Sequence, residues 1–478
     1  MKKTLISITM LTAFLFFGCG TVNDESSFLK KYSLKTVQTD AKTAKLIISS
    51  LANTTDGYIM TGSISVDQQN TDNRGEDGLL LKTDSNGNIE KALYIMYYDE
   101  NIARTYPVNE NFYDIAKSTN NKYLAITQIS PTGVYTEATT FLTLFDDNLN
   151  IITAGTYNTS IGGLYIRHVK PLNDGTFLLI GDAEAAYDQY GNIVTLGAVV
   201  KMDIYGNVLW AKSYTTTEYY ENYGYGSTTG DDWHYNDAAV TDDAIYISGY
   251  SINSFAQSSI LLIKLDLNGN LIWAKEYNRK DDENYYPATG YDIVSVDNYL
   301  YLPFKDNDNT YTINNYGMLK IDYNGNVVDN KIYYNDNYMD EFALDSDSHG
   351  DIYIGYGPDF IKTDKNLLPI KSYTVYGGIK NGMRVDKNDN PLFFSFNQSG
   401  SLAQYAESYV TKFVDDKSCN DTYSHCDDIT LSTTSDTFYV KSYDNSQVKF
   451  INLSISKNLN YQGGTIDNIQ VTDLCSEE

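Results

Sequence analysis

Four histidines, at 168, 234, 349 and 425, are the side chains of this 478-residue sequence whose ordinary titration falls near neutrality. His168 follows Arg167, and His234 follows Asp232 and Trp233. Asp114, Asp237, Asp292, Asp340, Glu341 and Arg384 stand at matching places, just ahead of short apolar segments. An acid beside a histidine is the raw material of general acid–base chemistry. Asp114, Arg167, His168, Asp237, Asp292 and Asp340 are therefore read as a polar funnel. The competing role for such residues is to bond the backbone of neighbouring structural units. With 62 acidic residues in the chain, pairing by sequence alone decides nothing. No HExxH, GxSxG or phosphate-binding loop is present, so no catalytic residue is assigned.

A second candidate is aromatic. Residues 215–236 carry Tyr219, Tyr220, Tyr223 and Tyr225, then Asp232, Trp233 and His234; Tyr285-Tyr286 and Tyr333-Tyr334 recur in later loops. Tyrosine and tryptophan give rigid contact area with a polar edge, and Asp supplies hydrogen bonds. This set is expected to bind a ligand, by stacking on sugar rings or meeting a protein.

Positioning these groups falls to a repeat. Residues 260–278 read as a strand, a turn Asp266-Leu267-Asn268-Gly269-Asn270, and a second strand containing Trp273-Ala274-Lys275-Glu276-Tyr277. The anchor aspartate recurs at 84, 146, 203, 266, 322 and 364, at intervals of roughly 40–60 residues, with a degenerate seventh copy near Lys412. Another hairpin precedes each anchor. Four-stranded units repeated in this way predict an all-β propeller, of seven four-stranded blades, over residues 28–418. Phe28-Leu29-Lys30-Lys31-Tyr32 matches the Trp273 segment, so residues 28–38 are expected to complete the last blade. The short connections share one face. The long ones, including all the aromatic loops, share the other, where binding is expected.

Residues 1–18 pair Lys2 and Lys3 with an apolar run and form a signal peptide. Leu15-Phe16-Phe17-Gly18-Cys19 resembles the lipobox of bacterial lipoproteins. That resemblance implies lipid attachment at Cys19, a tether over 19–27 and, with Gly20 rather than Asp after the cysteine, the outer membrane. The net charge of −27 argues against nucleic-acid partners. Residues 419–478 are expected to form a small C-terminal β appendix. Within it Cys426 could pair with Cys475 or with Cys419, and the sequence does not choose.

The Lys-x-Asp-x-Asn-Gly-Asn-x-x-Trp hairpins resemble the repeats of bacterial exported propellers of the quinoprotein-like and delta-60 type. Some members of that group use pyrroloquinoline quinone with calcium, and others are assembly scaffolds. No cofactor motif is found, the turns lack the further ligands of a calcium loop, and no cofactor or metal is inferred. The expectation is a cell-envelope lipoprotein whose propeller binds or scaffolds protein or glycan without catalysis. The alternative is a polysaccharide-directed hydrolase or lyase using the acidic funnel.

Overall fold

The structure is a computed structural model. It describes residues 26–34, 43–67, 76–97, 108–131, 139–187, 193–222, 232–253, 258–280, 285–286, 288–290, 292–307, 314–333, 343–356, 359–377, 379–399, 405–420, 423–428, 433–435, 437–459, 461–467 and 469–475. Cys19 and the rest of the signal and tether segment before Ser26 lie outside them.

The repeat turn is a small machine of its own. In the Asp266 copy, Oδ1 accepts the backbone N–H groups of Asn268 and Asn270 at 2.9 and 2.8 Å, and Oδ2 accepts the Asn270 side-chain amide at 2.8 Å. Asp84, Asp146, Asp203 and Asp322 repeat the pattern. Both carboxylate oxygens are thus occupied by the turn itself, the usual role of Asp in such loops.

The turn also joins neighbouring units. Gly269 has φ +70°, and a Cβ there would lie 2.9 Å from the Trp210 ring of the preceding unit. Gly325 stands in the same relation to Trp273, and Gly87 to Phe28. The tyrosine four residues after each of these aromatics then donates its hydroxyl to the glycine carbonyl: Tyr32 to Gly87 at 2.6 Å, Tyr277 to Gly325 at 2.9 Å, and Tyr214 to Gly269. Tyr157 donates likewise to Gly206, and Tyr333 to Leu367. Glycine is needed twice over, for positive φ and for the close approach of an aromatic ring.

The strand pairing corrects the expected seven four-stranded blades. Five separate sheets each have five strands in their main hydrogen-bonded path, and a further sheet has ten. The ten-stranded sheet contains the first and last repeats. They are joined by a two-residue parallel contact, Ala44 with Tyr405 and Lys45 with Ala406. Strand Phe28–Leu34 lies beside Tyr405–Lys412 in this sheet, with Phe28 opposite Lys412. The fold remains an all-β propeller.

In four of these five sheets the fifth strand comes from the C-terminal segment, which is no small appendix; in the remaining one that segment adds a sixth strand beside Tyr285–Tyr286. It runs around the outside of the molecule and adds one antiparallel strand at each step. His425–Asp428 pairs with Pro369–Thr374, Thr433–Thr434 with Val327–Tyr333, and Phe438–Tyr443 with Leu271–Lys280. Val448–Asn452 then pairs with Val208–Thr216, Ile455–Asn458 with Ile151–Thr159, and Tyr461–Thr465 with Ile89–Tyr97. Ile469–Asp473 ends the circuit against Phe28–Leu34. Each step covers an edge that would otherwise offer unpaired backbone groups. Apolar residues such as Tyr443, Ile455 and Val471 pack inward against the clusters between sheets. A Cys419–Cys475 disulfide joins the two ends of this belt, which is neither pairing weighed from the sequence; Cys426 is a free, half-buried thiol.

Candidate functional site

The innermost strand of each repeat lines a central channel. A register irregularity falls beside the same position in several of these strands, at Ser50, Asp114, His168, Asp237 and Gly382. The extra residue of a β-bulge re-aims the side chains that follow it. Those from different sheets meet. His168 Nδ1 lies 3.4 Å from Asp114 Oδ2 and 4.0 Å from Asp237 Oδ1, and its Nε2 lies 3.8 Å from Asp292 Oδ1. Two residues further along their strands are Lys170, 2.9 Å from Asp237, and Arg384, 2.8 Å from Asp114.

The acids have a structural task as well. Asp114 Oδ2 accepts the backbone N–H of Val169 at 3.1 Å, Asp237 that of Ile293 at 3.2 Å, and Asp292 that of Leu344 at 3.2 Å. Asp345 accepts Val385 N–H at 2.8 Å. Each of these bonds stitches one inner strand to the next.

The charges respond to this crowding. Burial alone would raise the Asp114 carboxyl, but Arg384 and His168 outweigh it and hold it well below the usual range. Burial pushes Asp292 up to about 6, with His168 opposing and Asp237 reinforcing the rise. Burial, only partly offset by Arg384, raises Asp345 too. For His168 burial favours the neutral ring, but Asp237, Asp114 and Asp292 prevail and raise its pKa.

A second cluster forms between the neighbouring strands Leu164–Pro171, Phe177–Tyr187 and Asp232–Val240. Arg167 contacts Asp182 at 2.7 Å and donates to the Tyr235 carbonyl at 2.9 Å. His234 sits between Asp182, at 3.3 Å, and Asp232, at 3.1 Å, and stacks on Tyr250. Burial opposes its charge, but bonds to both carboxylates lift its pKa to about 10.

The two candidate sets therefore mix. Asp114, His168, Asp237 and Asp292 come together in the channel, whereas Arg167 turns to Asp182, which His234 also meets. Asp340 and Glu341 lie outside the described residues, as do Tyr223, Tyr225 and Tyr334. Tyr219 is buried on a short helix, Thr217–Asn222, against Ala185, Val194 and Leu196. Tyr220 shares that helix, and its side chain is outside the description, as are those of Tyr285 and Tyr286 on their two-residue strand. Trp233 is 0% exposed and packs on Tyr443 of the belt, so it is not a contact surface. Tyr333 is equally committed, to the sheet junction at Leu367.

Lys170, Asp182 and Asp345 were missed. Counting back two residues from Leu172 and Asp347, whose N–H groups close the inner hairpin turns, reaches Lys170 and Asp345. Asp182 lies on the second strand and carried no such signal. Among the described residues no group of three or more His, Cys, Asp or Glu side chains is placed to hold a metal ion, and no helix is long and apolar enough to cross a membrane.

Fold and site together define a repeat-built β-propeller with a charged channel and an encircling C-terminal belt. No protein-family model matches the sequence, and no curated protein matches it. Among solved structures, a crystal structure of a protein of unknown function from Bacteroides caccae is similar with a TM-score of 0.27 and 10% identity. The match covers 45% of this chain and 64% of that one.

Proposed function

We propose that the chain is a lipid-anchored module of the bacterial cell envelope, at the outer membrane, that binds or scaffolds a protein or glycan on its long-loop face without turning it over. The observation that carries this reading is the use made of the channel acids. Asp114, Asp237 and Asp292 each hold a backbone N–H of the next inner strand, and Asp114 is further tied to Arg384. Carboxylates so engaged are poorly placed to exchange protons with a substrate.

The chain entry supports the placement of the binding face. Ser26 contacts Asn86 of a repeat turn, and Ser27 donates to the Lys417 carbonyl. A tether running to a lipid on Cys19 thus leaves on the tight-turn face. The face opposite those turns then lies away from the bilayer.

A second reading, a polysaccharide hydrolase or lyase, is favoured by one feature: Asp292, with its pKa near 6, stands 3.8 Å from His168 Nε2. Screening the purified chain against cell-surface glycans for both binding and turnover separates the two. Binding without turnover supports the first reading. Turnover that disappears in Asp292→Asn and His168→Gln supports the second. Mass spectrometry of the mature N-terminus tests the anchor, and an unacylated N-terminus at another residue would refute it.

A further inference from the structure

We propose that the channel at His168 is a second binding site, for a neutral hydroxyl-bearing ligand such as a sugar or other polyol, held by a hydroxyl that bridges His168 Nε2 and Asp292 Oδ1. This goes beyond the long-loop reading and uses different residues.

The argument rests on hydrogen-bond logic. The His168 and Lys170 side chains are each 27% exposed, so the channel reaches them with solvent. The 3.8 Å between His168 Nε2 and Asp292 Oδ1 exceeds hydrogen-bond length, yet one oxygen atom can lie within reach of both. Asp114, Asp237 and Asp292 surround the ring and favour its charged form, in which both nitrogens donate. The bridging atom must accept from the imidazolium and donate to the carboxylate. A hydroxyl does both. A carboxylate or phosphate dianion has no proton to give, and an ammonium has no lone pair to offer.

The same mismatch recurs on the inner side of the ring. Asp237 is 1% exposed, and its Oδ1 meets no hydrogen-bond donor among the described residues although His168 Nδ1 is 4.0 Å away. That oxygen is itself closed to solvent, and it leaves a ligand in the channel to His168 Nε2, Asp292 and Lys170. Lys170 holds Asp237 Oδ2 with one N–H, and ammonium has three. It can serve a second hydroxyl. Arg384 is committed through three of its five N–H groups, to Asp114, Ser50 and the Met383 carbonyl.

The test titrates the purified chain, labelled in its histidine rings with nitrogen-15, with glucose, galactose, mannose and inositol. Glucuronate and glucosamine serve as charged counterparts. A neutral polyol should shift the His168 ring signals with millimolar-range affinity, roughly −4 kcal/mol. His168→Gln and Asp292→Ala should each weaken binding at least about tenfold with the melting temperature retained. The wild-type ring signals remain a readout if either variant fails to fold. The proposal is overturned if no neutral polyol moves the His168 signals, if glucuronate alone does, or if folded His168→Gln binds as well as wild type. Loss of the effect on Tyr220→Ala would also overturn it, by moving the site to the loops.

Discussion

Removing the Cys419–Cys475 disulfide tests the belt most sharply. The bond closes a loop of sequence separation 56 that takes in every belt strand. In the chain-entropy description, a cross-link over a loop of that size restricts the unfolded chain by about 4 kcal/mol at 25 °C. The native ends have other ties that survive in Cys475→Ser. Asn420 donates its side-chain amide to the Leu474 carbonyl at 2.9 Å, and Leu474 N–H donates to the Leu29 carbonyl at 3.0 Å. The native state should therefore keep its geometry, and most of the loss should come from a freer unfolded state. Denaturant unfolding of Cys419→Ser/Cys475→Ser against the oxidised wild type should show a loss of about 3–4 kcal/mol. Hydrogen exchange should quicken first in Ile469–Asp473 and Tyr461–Thr465, next to the freed end, while the inner strands stay protected. An unchanged midpoint, with belt amides protected as before, would refute the idea that the bond fastens the belt.

Tyr277→Phe removes the hydroxyl held by Gly325 and should cost about 1 kcal/mol; a thermal melt equal to wild type would deny the tyrosine its joining role. Lys412, fully buried, pairs with Asp386 at 3.0 Å and with the Tyr58 hydroxyl at 2.9 Å. Lys412→Met alone should cost roughly 3–5 kcal/mol, and Lys412→Met/Asp386→Leu much less, because the single change strands a buried charge. The pH profile carries two marks. His234, with its pKa lifted from an ordinary 6.5 to about 10, stabilises fully below pH 6.5, and this contribution is lost as pH rises towards 10. Asp292, lifted from 3.8 to about 6, likewise contributes below pH 3.8 and loses that contribution as pH rises through 6. Unfolding measured across pH should lose the alkaline limb in His234→Gln and the acid-side one in Asp292→Asn; wild-type-like profiles in both would contradict the assignments.

The turn and its neighbours were legible because their causes are local. Asp266, Asn268, Gly269 and Asn270 bond one another within five residues, and the match between Phe28 and Trp273 survives in the packing of both on turn glycines. The belt was not legible. Thr433–Thr434 and Ile455–Asn458 are too short and polar to announce strands, and their conformation is imposed by the sheet edges they meet. The roles of Trp233 and Tyr333 were misread for a related reason. Both stand where the sequence suggests loops, but neighbouring elements bury them: Tyr443 and Tyr214 pack around Trp233, and Leu344 and Leu367 around Tyr333. Asp114, His168, Asp237 and Asp292 were found because they occupy one repeated position. That His168 reaches across to Asp292 depends on ring closure, which spacing along the chain does not express.

The most direct test of the proposed function takes the glycan that binds best in the screen and measures its affinity for two variants. Tyr220→Ala/Tyr223→Ala alters the aromatic segment 215–236, and Tyr205→Ser alters an exposed residue, 65% accessible, of a repeat turn. The account predicts at least a tenfold loss, about 1.4 kcal/mol, in the loop variant and no change in the turn variant. Undiminished binding by the loop variant, with loss in Tyr205→Ser, would place the working surface on the other face and contradict it.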